Sequence, residues 1–441
     1  MLKCMSILAG LLLVTCATIV PAASSSAYGC ANLESNQALP TLEGKEGYFY
    51  RVMADLRMQH PLSNHIAELI GALDEALAAT GTTLVYVPIP TKSLVMPQYL
   101  PEAAHEYGFD YDVAEFAYKD VVEKLNARGV ITVDVLNAMR HLPQGKAAFL
   151  QADFHWTSAG AEAAAKVVAE TMSKLPGFAR ATSNTFETRP LGEMQIISTM
   201  RRILQENCTK ALPPAVTEGY GTTETAPAAA VDIFGDAQPE QSIVLVGTSY
   251  SDLAAANFDG FLSQSLAMPV TNFAISGGDQ FGSITSYMTS EAFLNHRPKV
   301  LVWENPIYNN LGKFGDTPLI ELMAAARQAC RTVDRTQISP AGDNALSVSV
   351  SAGQVPDHAV IYAYSGNDQS RHAALKFRLN DGHLFESGIW RADRVVSSGR
   401  YYFPVRYFGS RAAHTFQLAF DQMSLQSATV SICSLTEGQT K

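Results

Sequence analysis

The sequence predicts an α/β protein in two parts, a parallel sheet covered by helices followed by an all-β sandwich. Two observations carry that expectation. Between residues 63 and 175, and again from 242 to 329, strand-length apolar runs alternate with helix-length amphipathic segments, the pattern of strands joined by crossover helices. From Ala345 onward no helical periodicity is evident, and short alternating segments recur between Gly, Asn and Asp turns. A sandwich of about 100 residues fits such a tail. A chain of 441 residues is long enough for both units.

The chain opens with a leader. Lys3 is its only charge, an apolar run extends from Met5 to Val20, and small residues follow from Ala22 to Ala27. That is the layout of a secretory signal whose apolar run is short for a membrane span, with cleavage expected after Ala22, Ala23 or Ala27. The expected division is therefore a signal over 1–27, an α/β domain over 28–335 and a β-sandwich over 336–441, in an exported protein. Cys4 and Cys16 leave with the leader, so Cys30, Cys208, Cys330 and Cys433 remain. Four cysteines in an exported chain point to two disulfides with three connectivities open. The pairing Cys30–Cys208 and Cys330–Cys433 is expected because each pair brackets one predicted domain; one bridge with two buried thiols is the alternative. The cysteine spacing does not suit a zinc site.

Within the α/β part, a helix is expected over 63–79 with Gly81 placed to end it, then a buried strand over 84–90. A helix over 112–127 and a strand over 129–136 follow. After Asp153 and His155 the Ala-rich stretch 158–174 reads as a helix capped by Thr157 or Ser158. Residues 176–240 break the rhythm with Pro176, Pro190, Pro213, Pro214, Pro227, Pro239 and a Thr/Ala-rich patch at 222–230, and read as an insertion. The α/β pattern resumes at 242–252, with further strands at 269–275 and 299–306 and helices at 284–295 and 317–329. In the tail, strands are expected at 346–350, 359–364, 373–379, 401–408, 414–420 and 428–433.

Two motifs carry chemistry. In Gly247-Thr248-Ser249-Tyr250-Ser251-Asp252 an apolar strand runs straight into a small-residue turn bearing a serine. At the carboxyl end of a parallel strand, such a turn exposes the hydroxyl and aims backbone N–H groups at one point, where they can stabilise an oxyanion. The spacing is not G-x-S-x-G, which excludes the α/β-hydrolase elbow. In Asp153-Phe154-His155-Trp156 a carboxylate two residues before a histidine can reach Nδ1 and leave Nε2 for the serine. The helix that starts beside His155 would favour its neutral form. Trp156 reads as packing.

Together these motifs resemble those of SGNH-type hydrolases, here in circularly permuted order because Asp-x-His precedes the serine. With the leader and the β-rich tail, they resemble the periplasmic alginate O-acetyltransferases of the AlgX/AlgJ type over nearly the whole mature chain. That resemblance implies an SGNH-like catalytic domain joined to a carbohydrate-binding sandwich, and transfer of acetyl groups to mannuronate hydroxyls. It implies Ser249 as nucleophile, His155 as base and Asp153 as its orienter. Oxyanion and pocket candidates are Tyr250, Gly277, Gly278, Asn305 and Tyr308. No cofactor is expected, and the resemblance implies a protein or membrane-linked acetyl donor and export-complex partners.

The whole chain carries a net charge of −10, yet residues 371–411 hold eight Lys/Arg against three Asp/Glu. A basic patch on an acidic exported protein points to an anionic glycan, not a nucleic acid. Lys376, Arg378, Arg391 and Arg394, with Trp390, are the candidates for holding it, since guanidinium forks suit carboxylates and an indole face suits a sugar ring.

Overall fold

The computed structural model describes residues 26–58, 60, 62–178, 185–225, 242–350, 359–379, 381–405 and 412–435. The expected leader, except for its last two residues, and the Thr/Ala patch from residue 226 onward lie outside the described residues.

A short hairpin, β1 (Thr41–Glu43) and β2 (Phe49–Arg51), precedes the first helix, α1 (Asn64–Ala78). Ser63 caps α1 by accepting the Ile66 N–H, and its apolar stripe, Ile66, Ile70, Leu73 and Leu77, is fully buried. The chain continues through β3 (Thr83–Ile89), a single turn α2 (Lys92–Val95), α3 (Tyr111–Asn126), β4 (Ile131–Thr132), α4 (Leu136–Arg140) and the Ala-rich α5 (Ser158–Met172). The strand expected over 129–136 is only two residues long. The Asp134 carboxylate accepts the Leu136 N–H, and this side-chain turn diverts the chain into α4.

The proline-containing insertion forms a long two-stranded ribbon, β5 (Thr185–Gln195) and β6 (Val216–Thr225), with α6 (Thr199–Gln205) between them. The chain then returns through β7 (Ile243–Val246), the turn α7 (Ser249–Asp252), α8 (Phe258–Leu266) and β8 (Val270–Asn272). The helix expected over 284–295 is two, α9 (Gly282–Met288) and α10 (Glu291–Asn295), because the Ser290 hydroxyl caps a new start by accepting the Phe293 N–H. The unit closes with β9 (Val300–Pro306) and α11 (Thr317–Arg327).

Five strands form one parallel sheet in the order β4-β3-β9-β7-β8. The central strands β3, β9 and β7 are buried nearly throughout, as sheets covered by helices on both faces require. All carboxyl ends lie on one edge, where ligands bind in such sheets.

The tail forms two antiparallel sheets sharing one core. One has the order β10-β18-β13-β16, with β10 (Cys330–Thr332), β13 (Ala359–Tyr364), β16 (Arg400–Val405) and β18 (Thr429–Cys433). The other has the order β11-β12-β17-β14-β15, with β11 (Ile338–Gly342), β12 (Ala345–Ser349), β14 (His372–Leu379), β15 (Leu384–Trp390) and β17 (Ala412–Phe420). Leu346, Leu375, Phe403, Phe416 and Val430 fill the space between them. Strands β10, β11 and β15 lacked a readable alternation; β15 exposes most of its side chains and β10 all three. The outer face of the four-stranded sheet, with Val360, Tyr402 and Cys433, joins the main core beside α11.

Both expected disulfides are present, Cys30–Cys208 and Cys330–Cys433. Cys330 and Cys433 are direct cross-strand partners in β10 and β18, so the bridge ties the two ends of the tail together. Replacing both with alanine is expected to lower the stability of the oxidised protein by about 2–5 kcal/mol, measured by denaturant unfolding followed at a tail tryptophan.

Candidate active site

Ser249 stands just past the end of β7, at the first position of α7, where its N–H has no acceptor within the helix. The approach to that turn is tight. A Cβ on Gly247 would lie 2.5 Å from the Glu304 carboxylate and 3.2 Å from its backbone oxygen, so only glycine fits. Glu304, at the end of β9 and 0% exposed, accepts the Thr248 N–H at 2.8 Å, the Thr248 hydroxyl and the Ser251 hydroxyl at 2.9 Å. It thereby braces the serine turn from beneath. Burial outweighs these donors and pushes the Glu304 carboxyl up to about 7.

His155 reaches the serine from the other side of the sheet edge. Its Nε2 lies 2.8 Å from Ser249 Oγ, and its Nδ1 lies 2.6 Å from Asp153 Oδ1. The same Oδ1 accepts the His155 backbone N–H at 2.8 Å, while Oδ2 accepts the Ser198 hydroxyl. Burial would raise the Asp153 carboxyl, but the His155 hydrogen bond and charge, with the Ser198 bond, hold it well below the usual carboxylate range. The three side chains named from the sequence are thus brought into one hydrogen-bonded line. With Asp153 on Nδ1, the tautomer that presents a lone pair to the serine at Nε2 is favoured.

Trp156 is fully buried and donates its indole N–H to the Tyr250 carbonyl at 2.8 Å, tying the histidine segment to the serine turn. The Tyr250 side chain is likewise buried beneath His155, its hydroxyl on the Phe154 carbonyl. Asn305 is also withdrawn from the pocket, since it is buried and bonded to the Tyr86 hydroxyl and to Asn309. Tyr308 sits at the margin, stacked on Arg51, whose guanidinium carbon lies 4.5 Å from its ring centroid and 4.3 Å from that of Phe154. Arg51 is neutralised by Asp55. The Gly277–Gly278 turn follows Ile275, whose N–H is held by the Gly247 carbonyl, so it lies beside the serine loop.

The basic candidates divide. Trp390 is 70% exposed and pairs across the sheet with His372, while Lys376 and Arg378 alternate with buried residues on the same outer face of β14. Lys376 pairs with its cross-strand partner Glu386 at 2.7 Å. Arg394 is exposed, with its stem over Gly277. Arg391 departs from the expectation for a glycan contact. Its side chain is 12% exposed and bonded to the buried Glu321 of α11, so it joins the tail to the main body. Two more polar side chains that hold the site were not singled out from the sequence: Ser198 and the buried Lys92. Ser198 was hidden in the insertion, and Lys92 in an unremarkable Thr-Lys-Ser after β3, where a lysine at a parallel strand's carboxyl end is the one available signal.

A hydroxyl, imidazole and carboxylate aligned at the carboxyl edge of a helix-flanked parallel sheet are the layout of an SGNH hydrolase-like protein. Residues 41–307 match the family model of the SGNH hydrolase-like domain of acetyltransferase AlgX, and the chain belongs to that family. It is 28% identical over 371 residues to the alginate biosynthesis protein AlgX of Pseudomonas aeruginosa, covering 83% of this chain and 77% of the relative. It is 32% identical over 296 residues to AlgX of Pseudomonas syringae pv. tomato, covering 66% and 60%. With the probable alginate O-acetylase AlgJ of P. aeruginosa it shares 29% identity over 255 residues, 54% of this chain and 62% of that one. The fold is similar to the solved structure of P. aeruginosa AlgX, with a TM-score of 0.75, 24% identity and coverage of 92% and 96%.

The raised Glu304 carboxyl has a thermodynamic consequence. A carboxyl whose folded pKa lies above its unfolded value stabilises the fold fully below the unfolded value, and that contribution is lost as pH rises to the folded one. Wild-type stability relative to Glu304→Gln is therefore expected to fall between pH 4.5 and about 7 and to level off above it, by roughly 2–4 kcal/mol. Urea melts of both proteins across that range would show it; parallel curves would contradict it.

Proposed function

We propose that this protein O-acetylates an exported acidic polysaccharide, mannuronate residues of alginate, through an acetyl-serine intermediate on Ser249. The observation that supports this reading most directly is the continuous hydrogen-bonded line Asp153–His155–Ser249. The AlgX and AlgJ relatives, named for alginate biosynthesis and O-acetylation, supply the polymer and the acetyl group.

In this reading His155 Nε2 takes the Ser249 proton as Oγ attacks the acetyl carbonyl of the donor. Asp153 keeps the imidazole in register and stabilises the imidazolium that forms. The oxyanion meets the Ser249 N–H, with Gly277 as the second donor. The imidazolium then protonates the departing donor group. In the second half, His155 deprotonates a sugar hydroxyl, which attacks the acetyl-serine and restores Ser249. The polymer is presented by the outer face of β14 and β15, where Lys376, Arg378 and Trp390 meet uronate carboxylates and sugar rings, with Arg394 between that face and Gly277. The leader directs the protein to the periplasm, where the donor and export partners are protein or membrane components.

Incubation with an activated acetyl ester and unacetylated oligomannuronate is expected to yield acetylated oligosaccharide by mass spectrometry. Acetate release without sugar acetylation would instead identify an esterase. Ser249→Ala is expected to reduce transfer by at least about 10³-fold; unchanged transfer would exclude the serine mechanism. Replacing Lys376 and Arg378 together by alanine is expected to weaken oligomannuronate binding about tenfold while leaving turnover of a small ester intact, and to flatten the salt dependence of binding.

A further inference from the structure

The segment that carries the acid and base of the triad is irregular. Residues 151–155 form bends, held by a few backbone bonds such as Phe49 N–H to Gln151 O and Leu150 N–H to His155 O. Into this segment projects Lys92, the first residue of α2, 1% exposed and rooted at the carboxyl end of β3. Its ammonium donates to three backbone carbonyls, Phe49 at 2.9 Å, Gln151 at 2.7 Å and Asp153 at 2.9 Å. An ammonium has three donors and no acceptor, so each donor is used. The Tyr48 and Tyr50 rings flank it at 5.4 and 5.5 Å.

A buried ammonium is costly, and a methionine of similar length would fill the same space without that cost. What methionine could not do is gather three carbonyls from β2 and the 151–153 bends onto one point. We propose that Lys92 is a positioning residue for the Asp153–His155 pair, acting through the backbone carbonyls of Gln151 and Asp153. The inference rests on the triad reading above and deepens it. Lys92 touches no reacting atom; it fixes where Asp153 stands, and so where His155 Nε2 meets Ser249. Its charge also bears on the pair. Burial pushes the ammonium down to about 7; of the ionisable groups facing it, Asp55 and Asp153 favour its charged form, Arg51 opposes it, and the Tyr48 and Tyr50 phenols lie beside it.

The test uses Lys92→Met and Lys92→Arg in the full mature chain, with Ser249→Ala as reference and small-ester turnover as readout. In Lys92→Met kcat is expected to fall about 10- to 100-fold with KM within about twofold, as for a small misplacement of a base. Lys92→Arg, which keeps a cation donor at the same place, is expected to recover part of kcat. Wild-type kcat in a folded Lys92→Met protein would overturn the proposal. So would a Lys92→Arg kcat no higher than that of Lys92→Met, which marks general loosening. If neither variant folds, amide exchange at residues 151–155 of the wild type, followed across the range where the Lys92 ammonium loses its proton, decides: protection that falls there relative to the sheet strands supports the clamp, and unchanged relative protection overturns it. Full activity of Ser249→Ala would instead remove the triad reading itself, whatever the Lys92 variants do.

Discussion

A carboxylate carried into the protein interior governs the architecture of the site. Asp153 is 1% exposed, and an ionised carboxylate there is tolerable only if its oxygens are met by hydrogen-bond donors. His155 supplies two, from its ring and its backbone, and Ser198 a third. Ser198 also caps α6 by accepting the Arg201 N–H, and α6 lies between the two strands of the insertion ribbon. Just beyond α6, Cys208 is bonded to Cys30. The insertion that interrupts the α/β rhythm is therefore part of the site's support, its helix α6 held on one side by a disulfide and on the other by the demands of one buried acid.

A second buried carboxyl lies on the opposite side of the serine and is pushed the other way. Glu304 receives neutral donors, hydroxyls and backbone N–H groups of Thr248 and Ser251, whereas Asp153 receives an imidazole that can carry charge. The result is an acid held ionised beside His155 and one that keeps its proton up to about neutral pH beneath the Ser249 turn.

The tail is built into the main body rather than appended to it. Arg391 reaches Glu321, Arg400 reaches Glu291 at 2.9 Å, and the Ser398 hydroxyl meets Thr289 at 2.8 Å. The segment after β15 passes over the Gly277 turn, with Arg394 above it and Val395 beside Gly282. The exposed face that bears Trp390 thus continues in sequence to the Gly277 turn beside the serine loop.

Much of this was legible from local pattern. The alternation of apolar runs and amphipathic stretches predicts a covered parallel sheet, and the strand at Ile243–Val246 running into a small-residue turn places Ser249 at the sheet edge, because both follow from short-range periodicity and turn chemistry. The Asp-Phe-His spacing was likewise sufficient to expect a carboxylate on the imidazole Nδ1. What the sequence could not state is which distant groups meet these residues. Lys92 precedes Asp153 by some sixty positions and Ser198 follows it by forty-five, and no local periodicity links them. Arg391 looked like a free cation because its partner, Glu321, lies seventy residues away on a helix of another unit. Residue order determined the elements and the positions of the polar side chains at the sheet edge. Only tertiary packing decided which polar groups were buried, and burial is what forces each of them to find a particular partner.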